Sequence, residues 1–250
     1  EDVFSAKEIG ALREQILACL HEGTKFGPKV LRPFDPGMTI PDFMRRPQFK
    51  FMHHLPSNPA LLHVLRRIFR SVLPKPTLKK HGFKFCSHND IGIDRIVSWH
   101  KDKLNDEYAR YQSLPLWGGP ELDGGHKIVK ALIYLQDHEE DDDAITIVPG
   151  SFATPSYDTR GARTLRPSKG SVIIMEQRST HRGRTNPFRG LFSRKPRVLI
   201  SLGYGLNNLY TAQFEHGTRL RQAHQCDAKC TLHLQPSASW QVVDAWKPTP

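Results

Sequence analysis

The chain has 250 residues, a formal net charge of +11, 38% hydrophobic residues and four cysteines. A chain of this length buries a sizeable core within one β-rich domain, and so few cysteines exclude a disulfide scaffold. No apolar run approaches the length of a membrane-spanning helix, so no membrane partner is expected; the positive charge suits an acidic substrate, nucleic acid or an anionic surface without choosing among them.

Nucleic acid is the weakest of these partners, because the chain carries no recognition motif and its basic residues are interleaved with acidic ones. Glu1 opens the chain instead of a methionine. The expectation is a trimmed or mature fragment, which leaves the compartment open.

In chain order, "SAKEIGALREQILACLHEG" sets Ile9, Leu12, Ile16 and Leu20 at helical spacing, with Ser5 and Glu8 related as in a capping box. A Pro-, Arg- and Phe-rich stretch without period follows to about Pro56. "NPALLHVLRRIFRSVL" then offers Asn58 as cap, Pro59 in the first turn and a second apolar face. After Lys80 the texture changes to short β-branched or aromatic runs: "FKF", "RIVSW", "KIVKALIYL", "AITIVPG", "GSVIIMEQ" and "RVLISLGYG". Such a series predicts a sandwich or barrel. The expectation is a single domain with helical support over 1–80, a sheet core over 81–205 and an extension of mixed helix and coil over 206–250. Two long connections, Lys103 to Lys127 and Ser151 to Lys169, are placed to cover a site.

The stretch "RIVSWHKDKLN" puts His100 and Asp102 two apart at a strand end. Residues i and i+2 of an extended segment point the same way, so the pair can supply two arms of a metal site. The motif alone is weak, since chance gives roughly 0.8 such pairs in a chain of this His and Asp content, and His88 and Asp90 form a second one. Context favours the first pair: "RIVSW" reads as a strand leading into His100, while "SHNDIGID" reads as a turn. Downstream, His181 follows the strand in "PSKGSVIIMEQRSTHRGRTN", and Arg197 opens "RVLISLGYG". A barrel brings such distant positions to one mouth.

The ordered set "VSWHKDK", "ALIYLQDHEEDDDAITIVPGS", "KGSVIIMEQRSTHRGRTN" and "RVLISLGYG" resembles the phytanoyl-CoA dioxygenase-like family of Fe(II) and 2-oxoglutarate-dependent oxygenases, over about residues 83 to 205. The resemblance implies a mainly β fold with flanking helices around a double-stranded β-helix, that is, a cupin-like jelly-roll core. It also implies iron on His100, Asp102 and His181, Arg197 on the far carboxylate of 2-oxoglutarate, and dioxygen as co-reactant. An arginine fork suits a carboxylate because it makes two parallel charge-assisted hydrogen bonds. There are three departures from the family pattern: Phe152 stands where histidine is usual, Asp143 and Ala144 replace Asn and Gly, and Arg197 lies farther after His181 than usual. "PFRGLFSRK" reads as an insertion in that gap, which makes Arg194 the reserve anchor.

Other clusters carry less. "HEEDDD" from His138 lacks the spaced ligands and glycine of a calcium loop and reads as a solvated turn. The spacing of His224, Cys226, Cys230 and His233 fits no common zinc finger. Lys130, Leu132 and Tyr134 share one face of their strand, with packing the expected role of Tyr134. Arg182, Arg184, Arg189, Arg194 and Lys195 are either a solvated basic loop or a hold on an anionic substrate.

The expected function is oxidation, by default hydroxylation, of a small organic and possibly anionic substrate, with succinate and CO2 as co-products. Related halogenating enzymes lack the carboxylate ligand, which is retained here as Asp102; desaturation, ring closure or epimerisation by the same site remain open. The rivals are a non-catalytic jelly-roll module binding an anionic partner and an oxygenase acting on nucleic acid.

Overall fold

The computed structural model describes residues 3–22, 38–95, 97–103, 113–117, 124–138, 144–183 and 196–229. Helix α1 (Ala6–Glu22) begins at the expected capping box: Glu8 accepts from the Ser5 N–H at 2.8 Å, and the Ser5 hydroxyl accepts from the Glu8 N–H at 3.2 Å. Its Ile9, Leu12 and Ile16 are buried. Helix α2 (Pro59–Val72) is capped by Asn58, whose side chain accepts from the Leu61 N–H at 3.0 Å, and it buries Leu61, Leu62, Leu65 and Phe69. A short helix α3 (Lys75–His81), unforeseen in the sequence, leads into the sheets.

Among the described residues, eight strands form two antiparallel sheets. They are β1 (Met38–Pro41), β2 (Phe83–Ile93), β3 (Ile128–Tyr134), β4 (Ile145–Ile147), β5 (Arg163–Leu165), β6 (Val172–Glu176), β7 (His181–Arg182) and β8 (Val198–Leu206). The larger sheet has the order β1-β2-β8-β3-β6 and the smaller β5-β4-β7. Helix α4 (Leu209–Lys229) then returns against β2.

The period of two decides what each face of the large sheet does. Along β3 and β8, Ala131, Ile133, Val198, Ile200 and Leu202 join one core with α1 and α2. The alternate residues Lys130, Leu132, Tyr134, Leu199 and Ser201 turn toward a cavity on the opposite face. There Leu132, Tyr134 and Met175 pack on Ile145 of the small sheet, which fastens the two sheets together. Two antiparallel sheets flanked by helices thus replace the bare list of strands with a layered architecture.

Two local expectations are overturned. "SHNDIGID" is no turn: Ser87 to Ile93 belong to β2, the longest strand, because pairing on both sides with β1 and β8 outweighs the turn preference of Asn, Asp and Gly. The turn chemistry survives as a bulge between Phe85 and Asn89, with Ser87 at φ 58°. Conversely, "RIVSW" forms no strand among its described residues. Asp94, at φ 47°, ends β2 and accepts the Arg197 N–H on its side chain at 2.8 Å, turning the chain out of the sheet.

At the bulge β8 must pass very close to β2. A Cβ at Gly203 would lie 2.8 Å from both Cys86 Sγ and His88 Cβ. Gly203→Ala is therefore expected to lower stability by about 1–3 kcal/mol through overpacking. Urea denaturation checks this, and an unmoved midpoint would show that the bulge has room to spare.

Candidate metal centre

The segment carrying His100 and Asp102 is held against the start of β7. His100 N–H donates to His181 O and His181 N–H to His100 O, each at 2.9 Å; Asp102 N–H donates to Gln177 O at 3.2 Å, and Gly183 N–H to Val97 O at 3.0 Å. This extended pairing sets His100 and Asp102 on the same side and His181 directly across, with imidazole centroids 4.1 Å apart. Lys101, between them, points the other way; it is buried and donates to Arg178 O at 2.9 Å.

The ligand-type atoms of His100, Asp102 and His181 all lie within 4.8 Å of one another, forming the one group of three or more such side chains among the described residues. Asp102 reaches both rings, with Oδ1 3.5 Å from His100 Nε2 and Oδ2 3.4 Å from His181 Nε2. Each imidazole turns its other nitrogen to a carbonyl two residues back, His100 Nδ1 to Ser98 O at 2.7 Å and His181 Nδ1 to Ser179 O at 2.9 Å. A carbonyl only accepts, so Nδ1 carries the proton and Nε2 presents its lone pair to the centre. Two such nitrogens and a carboxylate on one side of an open space are a donor set that can hold a divalent transition metal.

Charge prepares the same state. Burial pushes the Asp102 carboxyl up, but Lys130, His181 and His100 together outweigh it and hold it well below the ordinary range. Lys130 Nζ sits 2.8 Å from Asp102 Oδ2. Burial lowers His181 to about 4, against the pull of Asp102, so this ring is neutral at pH 7. The second His-x-Asp pair is committed elsewhere: His88 Nε2 lies 3.0 Å from Ser201 Oγ, while Asp90 accepts from Arg221 at 2.9 Å and Gln222 at 3.1 Å.

The triad faces a cavity of about 270 Å³ walled by Leu132, Tyr134, Leu199 and Arg197. Arg197 precedes β8 on the cavity-facing parity and donates through Nη2 to Arg95 O at 2.6 Å. Tyr134 is buried, and burial raises its phenol to about 12, against Arg197, so it stays protonated. Both Tyr134 and Lys130 thus look inward, as their alternation predicts. Arg184, Arg189, Arg194, Lys195, Tyr108, Tyr111, Asp143, Cys230 and His233 lie outside the described residues. From the long loop, Trp117 is placed: its Nε1 donates to Phe152 O at 2.8 Å.

Sequence reasoning missed the Lys130 pairing and the Lys101 anchor. The parity of Lys130 on its strand was the available signal for the first; the second follows only once the segment is known to be extended.

No protein-family model matches the chain, and no curated protein matches it. Solved structures do. The chain is similar to the non-heme alpha ketoglutarate dependent epimerase SnoN from nogalamycin biosynthesis, at 16% identity over 81% of this chain and 74% of that one, with a TM-score of 0.52. It is similar to HygX from Streptomyces hygroscopicus with nickel and 2-oxoglutarate bound, at 17% identity over 82% and 80% of the two chains, with a TM-score of 0.54. It is also similar to ThoJ, a non-heme monooxygenase, at 14% identity over 81% and 71%, with a TM-score of 0.51. At such identities the likeness establishes a shared fold.

Removing one partner of a largely buried pair strands the other charge. Lys130→Met is expected to destabilise the metal-free protein by about 2–3 kcal/mol, and adding Asp102→Asn to recover most of that loss. Denaturation of the two single variants and the double variant measures the coupling; simple additivity would remove the ion pair from this account.

Proposed function

We propose that the chain is an Fe(II)/2-oxoglutarate-dependent dioxygenase of the phytanoyl-CoA dioxygenase-like kind, built on a double-stranded β-helix and hydroxylating a small organic substrate with release of succinate and CO2. The observation that carries this reading is the convergence of two Nδ1-pinned imidazoles and one ionised carboxylate on a cavity with an arginine in its wall. The shared fold with HygX, a protein that binds nickel and 2-oxoglutarate, supports it.

His100, Asp102 and His181 would hold iron(II), a role that suits a two-histidine, one-carboxylate set with its opposite side open. Iron(II) bound there with 2-oxoglutarate supplies oxidation of an unactivated C–H bond by dioxygen. The chain's own contribution is geometry and field. Arg197 offers its fork to the far carboxylate of 2-oxoglutarate from the edge of a paired strand, a stiffer mount than a loop. Leu132, Leu199 and the protonated Tyr134 line the same space and exclude water from it. Retention of Asp102 as a third protein ligand leaves no place for a halide and makes hydroxylation the favoured outcome.

Substituting His100, Asp102 or His181 by Ala is expected to abolish stoichiometric iron binding and succinate formation while circular dichroism stays native, whereas His88→Ala keeps both. The reverse pattern would move the centre to His88. Losing a buried charge-assisted carboxylate contact costs about 2–5 kcal/mol, so Arg197→Ala is expected to raise the 2-oxoglutarate requirement roughly thirtyfold or more. A 2-oxoglutarate titration of succinate formation checks this. Near-normal behaviour of Arg197→Ala beside a large loss in Arg194→Ala would transfer the anchor.

A further inference from the structure

Adjoining the Arg197 cavity and sharing Asp102 with it, a second cavity of about 230 Å³ opens between Asp102 and helix α4. Asp102, Lys130 and Arg95 line both spaces, whereas Lys103, Gln177 and Arg221 line only the second and Arg197 only the first. Four cationic side chains face two carboxylates across it. Two of the cations are committed, Lys130 to Asp102 at 2.8 Å and Arg221 to Asp90 at 2.9 Å. Arg95 and Lys103 form no side-chain hydrogen bond or ion pair within the described residues, and both are exposed at the mouth. The aliphatic stem of Arg95 folds back over Gly92, where its Cδ would touch an added Cβ at 3.6 Å, so the guanidinium is held at the cavity.

Deeper in, Gln177 is 2% exposed, and its Oε1 has no hydrogen-bond partner. A buried acceptor left unmade is costly, and a ligand donor would relieve that cost. His88, on the wall, is kept neutral by burial that lowers it to about 3, so it adds no charge of its own.

We propose that this second cavity is the substrate subsite, and that it takes a small acid: a molecule whose carboxylate or phosphate is held by Arg95 and Lys103 and whose hydroxyl or amine donates to Gln177. The inference rests on the dioxygenase reading, because that reading assigns the Arg197 cavity to 2-oxoglutarate and leaves this one for the molecule to be oxidised. Both anions share the chemistry that a guanidinium and an ammonium recognise together, an oxyanion with several acceptor oxygens.

The test uses the whole chain loaded with cobalt(II) and 2-oxoglutarate, with a zinc(II)-loaded control. Inorganic phosphate, followed by 31P resonance, and 13C-labelled acetate are titrated in separate arms beside neutral 13C-labelled glycerol. Broadening by cobalt over zinc places a probe next to the metal and rejects binding elsewhere on a basic surface. The expected result is cobalt-dependent broadening of phosphate, acetate or both, none for glycerol, and at least tenfold weaker binding in the R95Q/K103Q double variant; the arm that broadens more identifies the anion. Equal broadening by glycerol, no broadening by either anion, or full retention in R95Q/K103Q, as direct ligation to cobalt would give, overturns the subsite. Cobalt uptake is read separately from visible absorption. A chain that takes up no cobalt fails the dioxygenase reading instead, and the anion site is then judged on metal-free protein by a phosphate-dependent rise in Tm: its loss in R95Q/K103Q supports the site, and its absence or persistence there overturns it.

Discussion

Two backbone hydrogen bonds between His100 and His181 hold the centre together. Each contributes about 1 kcal/mol net, so their importance lies in geometry and not in stability. Strand β7 is only two residues long and is paired on its other side to β4, where Ile147 lies opposite His181. His181 is thus fixed from both edges, and the bridge passes that fixity to a segment that belongs to neither sheet. The same extended geometry lets each histidine reach the carbonyl two residues behind it, so one arrangement of backbone sets ring position, ring rotation and tautomer together.

The charge around Asp102 shows how such a site can exist before a metal arrives. A largely buried carboxylate beside two imidazoles has a desolvation cost, and Lys130 offsets it from the floor of the large sheet. The Asp102 carboxylate is therefore held in its ionised state by a neighbouring side chain. The cost is competition, since an incoming cation meets a carboxylate oxygen that already has a positive neighbour at 2.8 Å. Asp90 is managed the same way by Arg221 and Gln222 from α4, but with its cation and amide both on a helix and no second imidazole in reach. That difference separates a structural carboxylate from a ligand-type one although both sit in the same three-residue motif.

Much of this was legible in the sequence because it is local. The capping box at Ser5 and Glu8, the Asn58 cap, and the parity that sets Lys130, Leu132 and Tyr134 on one face of their strand follow from spacing alone, whereas Arg197 joins that face only through the pairing of β3 with β8. The structure gathers His100, and not His88, with Asp102 and His181, yet the local context differs from what the sequence suggests: His88 lies inside a strand, and His100 does not follow one. Tertiary pairing across β1, β2 and β8 outweighed the turn residues of "SHNDIGID", and the Asp94 turn ended the strand before "RIVSW" began. Strands β1 and β5 escaped notice because four and three residues carry no readable period. The ion pair between Lys130 and Asp102 joins residues whose proximity exists only after the sheets have closed.

Helix α4 bears on more than packing. It reaches β2 through Glu215, which binds Lys84 at 2.7 Å and Ser87 at 2.7 Å, and through Arg221 and Gln222 on Asp90. The same helix presents Phe214 and Thr218 to the space beside the triad while contributing none of the triad's three side chains. The triad and much of its surroundings are thus encoded in separate stretches of the chain. Under the proposed function, drift along the inward face of α4 would reshape which molecules are accepted while leaving the triad's geometry untouched, a division of labour that would let one oxidising apparatus be retargeted by changes in a single helix.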